Sequence, residues 1–98
     1  MFARIARFEG VAPEGVDAMV KQIQEEAADG PPPGLEDATG VWMLVDREHG
    51  TSLGIVLFAD EEGLRRGDQA LNEMSPGDGG GRRSTVEIYE VVLRQELG

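Results

Sequence analysis

Two apolar runs separated by a short polar segment constrain the fold of this chain most. The first run is Val41–Val45 and the second is Leu53–Ala59. Residues 46–50 between them read DREHG, which is typical of a turn. The pair therefore predicts an antiparallel hairpin, and the unbroken runs indicate strands with apolar side chains on both faces.

The segment before the hairpin predicts a strand followed by a helix. Residues 2–9, FARIARFE, alternate as a short strand does, and Gly10 ends it. Pro13 suits the first position of a helix, and Gly30 with the prolines after it stops that helix. Its apolar residues recur at helical spacing and form one stripe: Val16, Met19, Val20, Ile23 and Ala27.

The segment after the hairpin predicts a second helix and a last strand. Asp60 is a suitable N-cap, and a thin apolar stripe of Leu64, Leu71 and Met74 follows, interrupted by Gly67. This helix should end before Ser75. A strand is predicted over residues 84–93, STVEIYEVVL. The glycine-rich segment 77–81 precedes a strand rather than a helix, so it is interpreted as a connector and not as a phosphate-binding loop.

The predicted order β-α-β-β-α-β identifies an α+β chain of the ferredoxin-like kind. Right-handed crossovers fold this order into a four-stranded antiparallel sheet with two helices on one face. A length of 98 residues fits a single domain over residues 1–98.

The strands are apolar on a face that the two helices cannot cover. Trp42 and Leu44 point away from Met43 and Val45, for example, and both pairs are apolar. An apolar sheet face open to water is an interaction surface or an aggregation hazard. With no cysteine to form a disulfide, a second copy packed by two-fold symmetry is the simplest cover. The pattern therefore predicts a homodimer.

Charge and composition exclude several classes of partner. The chain has 19 acidic and 9 basic residues, a net charge of −10, so a nucleic acid would be repelled. No stretch approaches the ~20 apolar residues of a membrane span. The first residues lack the pattern of a secretory signal, so the expected location is the cytoplasm. One histidine, His49 in the predicted turn, and no cysteine predict no metal site.

The chain resembles the dimeric α+β-barrel superfamily, and within it the antibiotic-biosynthesis-monooxygenase-like proteins. The likeness is carried by the opening FARIARFEG, by the helix after Pro13-Glu14, and above all by WMLVDREHGTSLGIVLFADEEGLR, Trp42 to Arg65. It implies a dimeric barrel, and a reaction in which an electron-rich aromatic molecule is oxidised by oxygen without a cofactor. The second helix has no histidine and the first strand no asparagine, which argues against a haem-degrading member.

Five residues are candidates for lining a ligand site. Trp42, Tyr89, Arg4 and Asn72 are the possible hydrogen-bond donors to a substrate anion. Arg4 shares a strand face with Phe2 and Phe8, and a pair between Arg4 and Glu87 of the last strand is a further prediction. The alternatives are a structural ion pair or an edge position for Arg4, and plain packing for Trp42 and Tyr89. A register slip of one residue would also move Arg4 out of the cleft.

Two functions of different classes are compatible with the sequence. The first is a small-molecule-binding homodimer, with cofactor-free monooxygenase activity on an aromatic substrate as its enzymatic form. The alternative is a non-catalytic dimeric interaction or regulatory module. The first predicts an enclosed pocket lined by Arg4, Trp42 and Tyr89, whereas the second predicts that side chains fill that space.

Overall fold

The structure is a computed structural model that describes residues 1–31, 33–73 and 81–98. Its elements follow the predicted order βαββαβ. The strands are β1 (Phe2–Glu9), β2 (Ala38–Asp46), β3 (Thr51–Phe58) and β4 (Arg82–Glu90), and the helices are α1 (Val16–Ala28) and α2 (Glu61–Asn72).

The four strands form one antiparallel sheet in the order β2-β3-β1-β4, which confirms the ferredoxin-like α+β fold. The first strand of the chain is therefore central, with β3 on one side and β4 on the other. Phe2 lies opposite Phe58 of β3 and opposite Glu90 of β4. Strands β2 and β4 form the two edges of the sheet.

Helix α2 packs closely on the sheet because a glycine faces it. A Cβ atom placed on Gly67 would overlap the ring of Phe58, which is completely buried in β3. The glycine that interrupts the apolar stripe is thus the point of closest approach. Asp60 is the N-cap that the sequence predicts, and its Oδ1 accepts a hydrogen bond of 2.7 Å from the Gly63 backbone N–H.

Helix α1 begins three residues later than predicted. Pro13–Gly15 form a single 3-10 turn, and the α-helix starts at Val16. Val16 is the buried residue of this helix, while Ile23 in its apolar stripe is exposed. The Arg47 guanidinium of the β2–β3 turn bonds Asp17 at 3.0 Å and so ties α1 to the hairpin.

Two strand boundaries differ from the sequence prediction. Strand β2 begins at Ala38 instead of Val41, because its pairing with β3 continues past an irregularity before Gly40. Strand β4 covers Arg82–Glu90 instead of residues 84–93, because it ends where its partner β1 begins. Met74 and the connector residues 77–80 lie outside the described residues.

The register gives the sheet two faces of different character. The helical face is defined by Arg4, Val56 and Phe58, and α2 packs on it; a core of Leu35, Val56, Phe58 and Leu64 lies there. The open face is the opposite one. Its apolar residues are Ala3, Ile5, Trp42, Leu44, Leu53, Ile55, Leu57 and Tyr89.

Neither helix in the described part of the chain has the length and apolar character needed to cross a membrane.

Candidate functional site

Arg4 lies at the centre of a polar cluster on the helical face. Its side chain is only 3% exposed, and its Nε donates to Asp68 Oδ1 of α2 at 2.7 Å. Its Nη2 donates to Asn72 Oδ1 at 3.0 Å. Asp68 and Asn72 are four residues apart, so one side of α2 presents both to Arg4. The predicted placement of Arg4 beside Phe2 and Phe8 is confirmed, and the structure brings Arg4 and Asn72 together.

A β-bulge adds Arg83 to this cluster. Arg7 lies opposite Thr85 but Phe8 lies opposite Arg83, so Ser84 is the extra residue. The shift turns Arg83 to the helical face, where its Nη1 donates to Asn72 Oδ1 at 2.7 Å. One amide oxygen thus accepts hydrogen bonds from two guanidinium groups. We call Arg4, Asp68, Asn72 and Arg83 the Arg4 cluster.

The Arg4 cluster is positive in a strongly acidic chain. Two arginines and one aspartate give its four residues a formal charge of +1, whereas the whole chain carries −10. Ile88 lies opposite Arg4 on the same face and is 47% exposed. The cluster therefore combines cationic hydrogen-bond donors with an accessible apolar surface beside them.

Glu87 does not pair with Arg4, and that prediction is wrong. Glu87 lies opposite Ile5, so its side chain is on the open face while Arg4 is on the helical face. The Glu87 carboxylate accepts a hydrogen bond from the Tyr89 hydroxyl instead. This bond, together with the negative charge of Glu87, raises the pKa of Tyr89. Arg4 forms its ion pair with Asp68 instead. This agrees with the alternative that Arg4 belongs to a structural ion pair.

Trp42 and Tyr89 also lie on the open face, and both are about half exposed. Trp42 is opposite Ile55 and Tyr89 is opposite Ala3, one position out of phase with Arg4. The sheet separates the two sets, so the predicted pocket of Arg4, Trp42 and Tyr89 does not form within one chain. That prediction is wrong because successive residues of a strand point to opposite faces.

Two shallow depressions of about 310 and 290 Å³ lie elsewhere on the surface. The first is beside Arg66, whose pKa is raised by its hydrogen bond and ion pair with Asp37. The second lies at the hairpin end of the sheet, beside Arg7 and Leu44. Neither is lined by any of the five candidate residues from the sequence.

His49 occupies the hairpin turn, as predicted. Its Nδ1 lies 2.8 Å from Asp46 Oδ2, and both side chains are exposed. The hydrogen bonds from His49 lower the pKa of Asp46. Within the described ranges, no three histidine, cysteine, aspartate or glutamate residues are grouped so that they could hold a metal ion.

Sequence reasoning did not identify Asp68 and Arg83. The spacing of Asp68 and Asn72 on a predicted helix was an available signal, since residues four apart share a side. The position of Arg83 had no such signal, because it depends on the bulge at Ser84.

Comparison with known proteins gives similarity to solved structures only. No family model matches the chain, and no curated protein matches it. A crystal structure of a MhuD variant with two manganese protoporphyrin IX molecules bound per active site superposes with a TM-score of 0.64 at 13% identity, covering 98% of this chain and 99% of the other. A crystal structure of an antibiotic biosynthesis monooxygenase has a TM-score of 0.52 at 17% identity, covering 95% and 100%. SnoaB, a cofactor-independent oxygenase from Streptomyces nogalater, has a TM-score of 0.49 at 19% identity, covering 98% and 95%.

The residues of this chain do not fit a porphyrin site on α2. Haem iron is most often held by a histidine, and Glu61–Asn72 contains none. The one histidine of the chain is in the hairpin turn beside Asp46. At these identities the likeness concerns the fold: the chain has the fold of the antibiotic-biosynthesis-monooxygenase-like proteins.

Proposed function

We propose that this protein works as a homodimer that binds a small aromatic molecule and oxidises it with molecular oxygen, without a cofactor. The observation that carries the proposal is the division of the sheet into two faces. One face is apolar and open, which suits a second copy. The other has the Arg4 cluster beside an exposed apolar residue, which suits an aromatic anion.

The open face supports the homodimer. Trp42, Leu44 and Tyr89 are about half exposed there, although they are among the largest apolar side chains of the sheet. A patch of this kind marks an interaction site in a soluble protein. Two copies of one sheet can pack face to face about a two-fold axis, which buries the same residues on both subunits.

The Arg4 cluster supports binding of a phenolate or enolate. Asp68 holds the nearly buried guanidinium of Arg4. The exposed side chain of Arg83 donates to Asn72 Oδ1, the amide oxygen that also accepts a hydrogen bond from Arg4. The exposed Arg83 guanidinium is available to a ligand oxygen, and Ile88, opposite Arg4 on the same face, is an exposed apolar residue for an aromatic ring. Nearby positive charge favours the ionised form of a phenol, and hydrogen bonds from Arg83 stabilise the oxyanion.

The reaction balances without a further reductant. Loss of a proton from the CH₂ group of an anthrone gives an anion, and its carbon forms a bond to O₂. Loss of the second proton from the same carbon cleaves the O–O bond, which leaves a carbonyl there and releases the other oxygen with the two protons as water. The role of the protein is then to bind the substrate and favour its anion.

The test uses oxygen consumption with 1,8-dihydroxyanthrone as the probe. We expect the full chain to accelerate oxygen uptake, and Arg83→Gln to reduce that acceleration about tenfold or more, since it removes one charged hydrogen bond. Arg82→Gln is the matched control, because Arg82 is the neighbouring exposed arginine opposite Glu9 and is not in the cluster. Equal rates for the two variants would place the chemistry elsewhere.

The alternative is a non-catalytic dimeric module. It is favoured by the internal bonding of Arg4, whose exposed fraction of 3% leaves little of it for a ligand. Native mass spectrometry of the full chain from its own host distinguishes the two functions. A dimer with an additional small-molecule mass supports the binding function, whereas a dimer that neither retains a ligand nor accelerates oxygen uptake supports the module.

A further inference from the structure

Asn72 connects the exposed Arg83 to the buried ion pair of the Arg4 cluster. Its Oδ1 accepts a hydrogen bond of 3.0 Å from Arg4 Nη2 and one of 2.7 Å from Arg83 Nη1. Its Nδ2 donates to Asp68 Oδ2 at 3.4 Å. These three contacts determine the orientation of the amide, because turning it around would direct its N–H groups at two guanidiniums. Asn72 is thus held as an acceptor.

The acceptor orders Arg83. Arg4 is 3% exposed and bonds Asp68 of α2 at 2.7 Å, so the support beneath Asn72 is nearly buried. Arg83, by contrast, is exposed on the edge strand β4. An exposed arginine has many side-chain rotamers, and fixing it when a ligand binds costs free energy. The hydrogen bond to Asn72 orders the guanidinium before a ligand is present.

Asn72 orders Arg83 without neutralising it. The amide has no charge, and none of the ion pairs within the described ranges includes Arg83. Two other exposed arginines, Arg47 and Arg66, are held by aspartates at 3.0 and 2.6 Å. A carboxylate at position 72 would hold Arg83 at least as firmly, since charge-assisted hydrogen bonds are the stronger kind. The neutral amide is therefore what leaves the cluster its formal charge of +1.

The ordered guanidinium can act on the oxygen of a ligand. The bond to Asn72 uses one of the five N–H donors of Arg83. On the helical face of β4 the other charged residue is Glu90, which lies opposite Phe2, whereas Arg83 lies opposite Phe8. The carboxylate of Glu90 is thus at the far end of the strand. Close to Arg83, positive charge dominates, and it favours an ionised phenol over a neutral one.

We propose that Asn72 is the positioning residue that makes this site select the ionised form of a phenolic ligand. It orders Arg83 and, being neutral, leaves the charge of the guanidinium to the ligand. The inference rests on the ligand site proposed above and names the residue that sets its preference for an anion. Asn72 acts through Arg83 and needs no contact with the ligand.

The test measures the pKa of a bound phenol, which a purely structural role of Asn72 would not change. The probe is 4-nitrophenol, because it ionises near neutral pH, changes its absorbance on ionisation and has no CH₂ group to be oxygenated. We expect the full chain to lower the pKa of the bound probe by about one unit or more, a tenfold shift of its ionisation equilibrium.

Two substitutions separate the ordering of Arg83 from its charge. Asn72→Asp keeps an acceptor for both guanidiniums but cancels the formal charge of the cluster, so the pKa of the bound probe should return to about that of the free probe. Asn72→Leu removes the acceptor, and it should weaken binding of the phenolate about fivefold or more, since Arg83 must then be ordered by the ligand.

The matched controls are Gln69→Glu and Gln69→Leu. They make the same kinds of change at an exposed position of the same helix, so both quantities should stay at the wild-type values. Circular dichroism should show folded chains in all four variants, because Gln69 and Asn72 are exposed.

A double variant shows whether Asn72 acts through Arg83. In a chain that already carries Arg83→Gln, the further change Asn72→Leu should alter the phenolate affinity less than about twofold. A loss as large as in the wild-type background would overturn the positioning role, because Asn72 would then act on the ligand by another route.

The outcomes distinguish this inference from the proposed oxygenase. A wild type that lowers the pKa of the probe but does not accelerate oxygen uptake would contradict the oxygenase and support the role of Asn72. A wild-type pKa of the bound probe in Asn72→Asp, or an equal effect of Gln69→Glu, would overturn that role whatever the oxygen uptake. A wild-type chain that does not bind the probe, or binds it without lowering its pKa, would overturn the inference together with the anion site.

Discussion

Gly67 sets how closely α2 approaches the sheet, and its side chain of one hydrogen is what makes that distance possible. A methyl group there would overlap the Phe58 ring, which is completely buried and has little space to move. Two effects oppose each other at this position. Alanine favours a helix over glycine by roughly 1 kcal/mol, while overpacking a core costs roughly 1–3 kcal/mol and occasionally more.

We expect Gly67→Ala to destabilise the protein by about 1–2 kcal/mol, because the clash with a buried ring exceeds the gain in helix propensity. Urea unfolding measures the change. Gln69→Ala is the control for propensity, since Gln69 is exposed on the same helix. Combining Gly67→Ala with Phe58→Leu should recover part of the loss in a double-mutant cycle, and strict additivity would contradict a direct clash between the two residues.

Glu87 controls the ionisation of Tyr89, the only tyrosine of the chain. We expect Glu87→Gln to lower the pKa of Tyr89, because the hydrogen-bonded carboxylate opposes formation of the phenolate. Any stability from this bond is present below the ordinary tyrosine pKa of about 10 and is lost as the pH rises through the raised value. Tyrosinate absorbance during alkaline titration measures the shift.

Glu90→Gln is the control for this titration. Glu90 is exposed on the same strand, but it lies opposite Phe2 and is not bonded to Tyr89. An unchanged Tyr89 pKa in the Glu87 variant, or an equal change in both variants, would exclude the local hydrogen bond as the cause.

At the scale of elements, one ion pair docks α2 on β1. The Arg4 guanidinium is nearly buried, whereas the Asp68 carboxylate is one-third exposed. We expect Asp68→Asn to cost roughly 2–3 kcal/mol of unfolding free energy, less than a fully buried pair, because the arginine loses its counter-charge while Asp68 was partly solvated. Urea unfolding measures the loss of unfolding free energy in Asp68→Asn and in the double variant Arg4→Met with Asp68→Leu. The double variant should lose less stability, because it leaves no unpaired charge.

The matched control for Asp68 is another acidic residue of α2. Glu62→Gln removes a carboxylate whose contact with Arg66, at 3.5 Å, is exposed, so its effect should stay within about 0.5 kcal/mol. A similar loss in Glu62→Gln and Asp68→Asn would mean that overall helix charge matters more than the buried arginine.

Patterns within one element were predictable from the sequence, and relations between elements were only partly so. The alternation in β1 correctly placed Arg4 with Phe2 and Phe8, and Asp60 was correctly identified as the N-cap of α2. The partner of Arg4 was only partly predictable: the spacing of Asp68 and Asn72 puts them on one side of α2, but the rotation of α2 about its axis decides whether that side faces Arg4. The same holds for Glu87, since the offset between β1 and β4 is set by pairing across the sheet.

At the scale of the whole molecule, the proposed homodimer can be followed through Trp42, the only tryptophan. It is about half exposed on the open face, so burial in a dimer should shift its emission to shorter wavelength as the concentration rises. Because each chain carries −10, added salt should strengthen association by screening the repulsion. Fluorescence titration at two salt concentrations measures both effects.

Leu44→Arg should abolish the concentration-dependent shift, since it places a charge on the open face. Gln69→Arg adds the same charge on α2 and should leave the shift unchanged. Emission independent of concentration in the wild type, with sedimentation as a monomer, would contradict the homodimer.

The central position of β1 has a consequence for synthesis on the ribosome. Phe2 pairs with Phe58 of β3 and with Glu90 of β4. Strand β1 is therefore synthesised before both of the strands with which it pairs. Translation proceeds at roughly 5–20 residues per second, so one edge of β1 remains without its neighbour for seconds. Until β4 has left the exit tunnel, β1 is an edge strand of the partly formed sheet with one side unpaired, and capture by chaperones should be strongest during that interval.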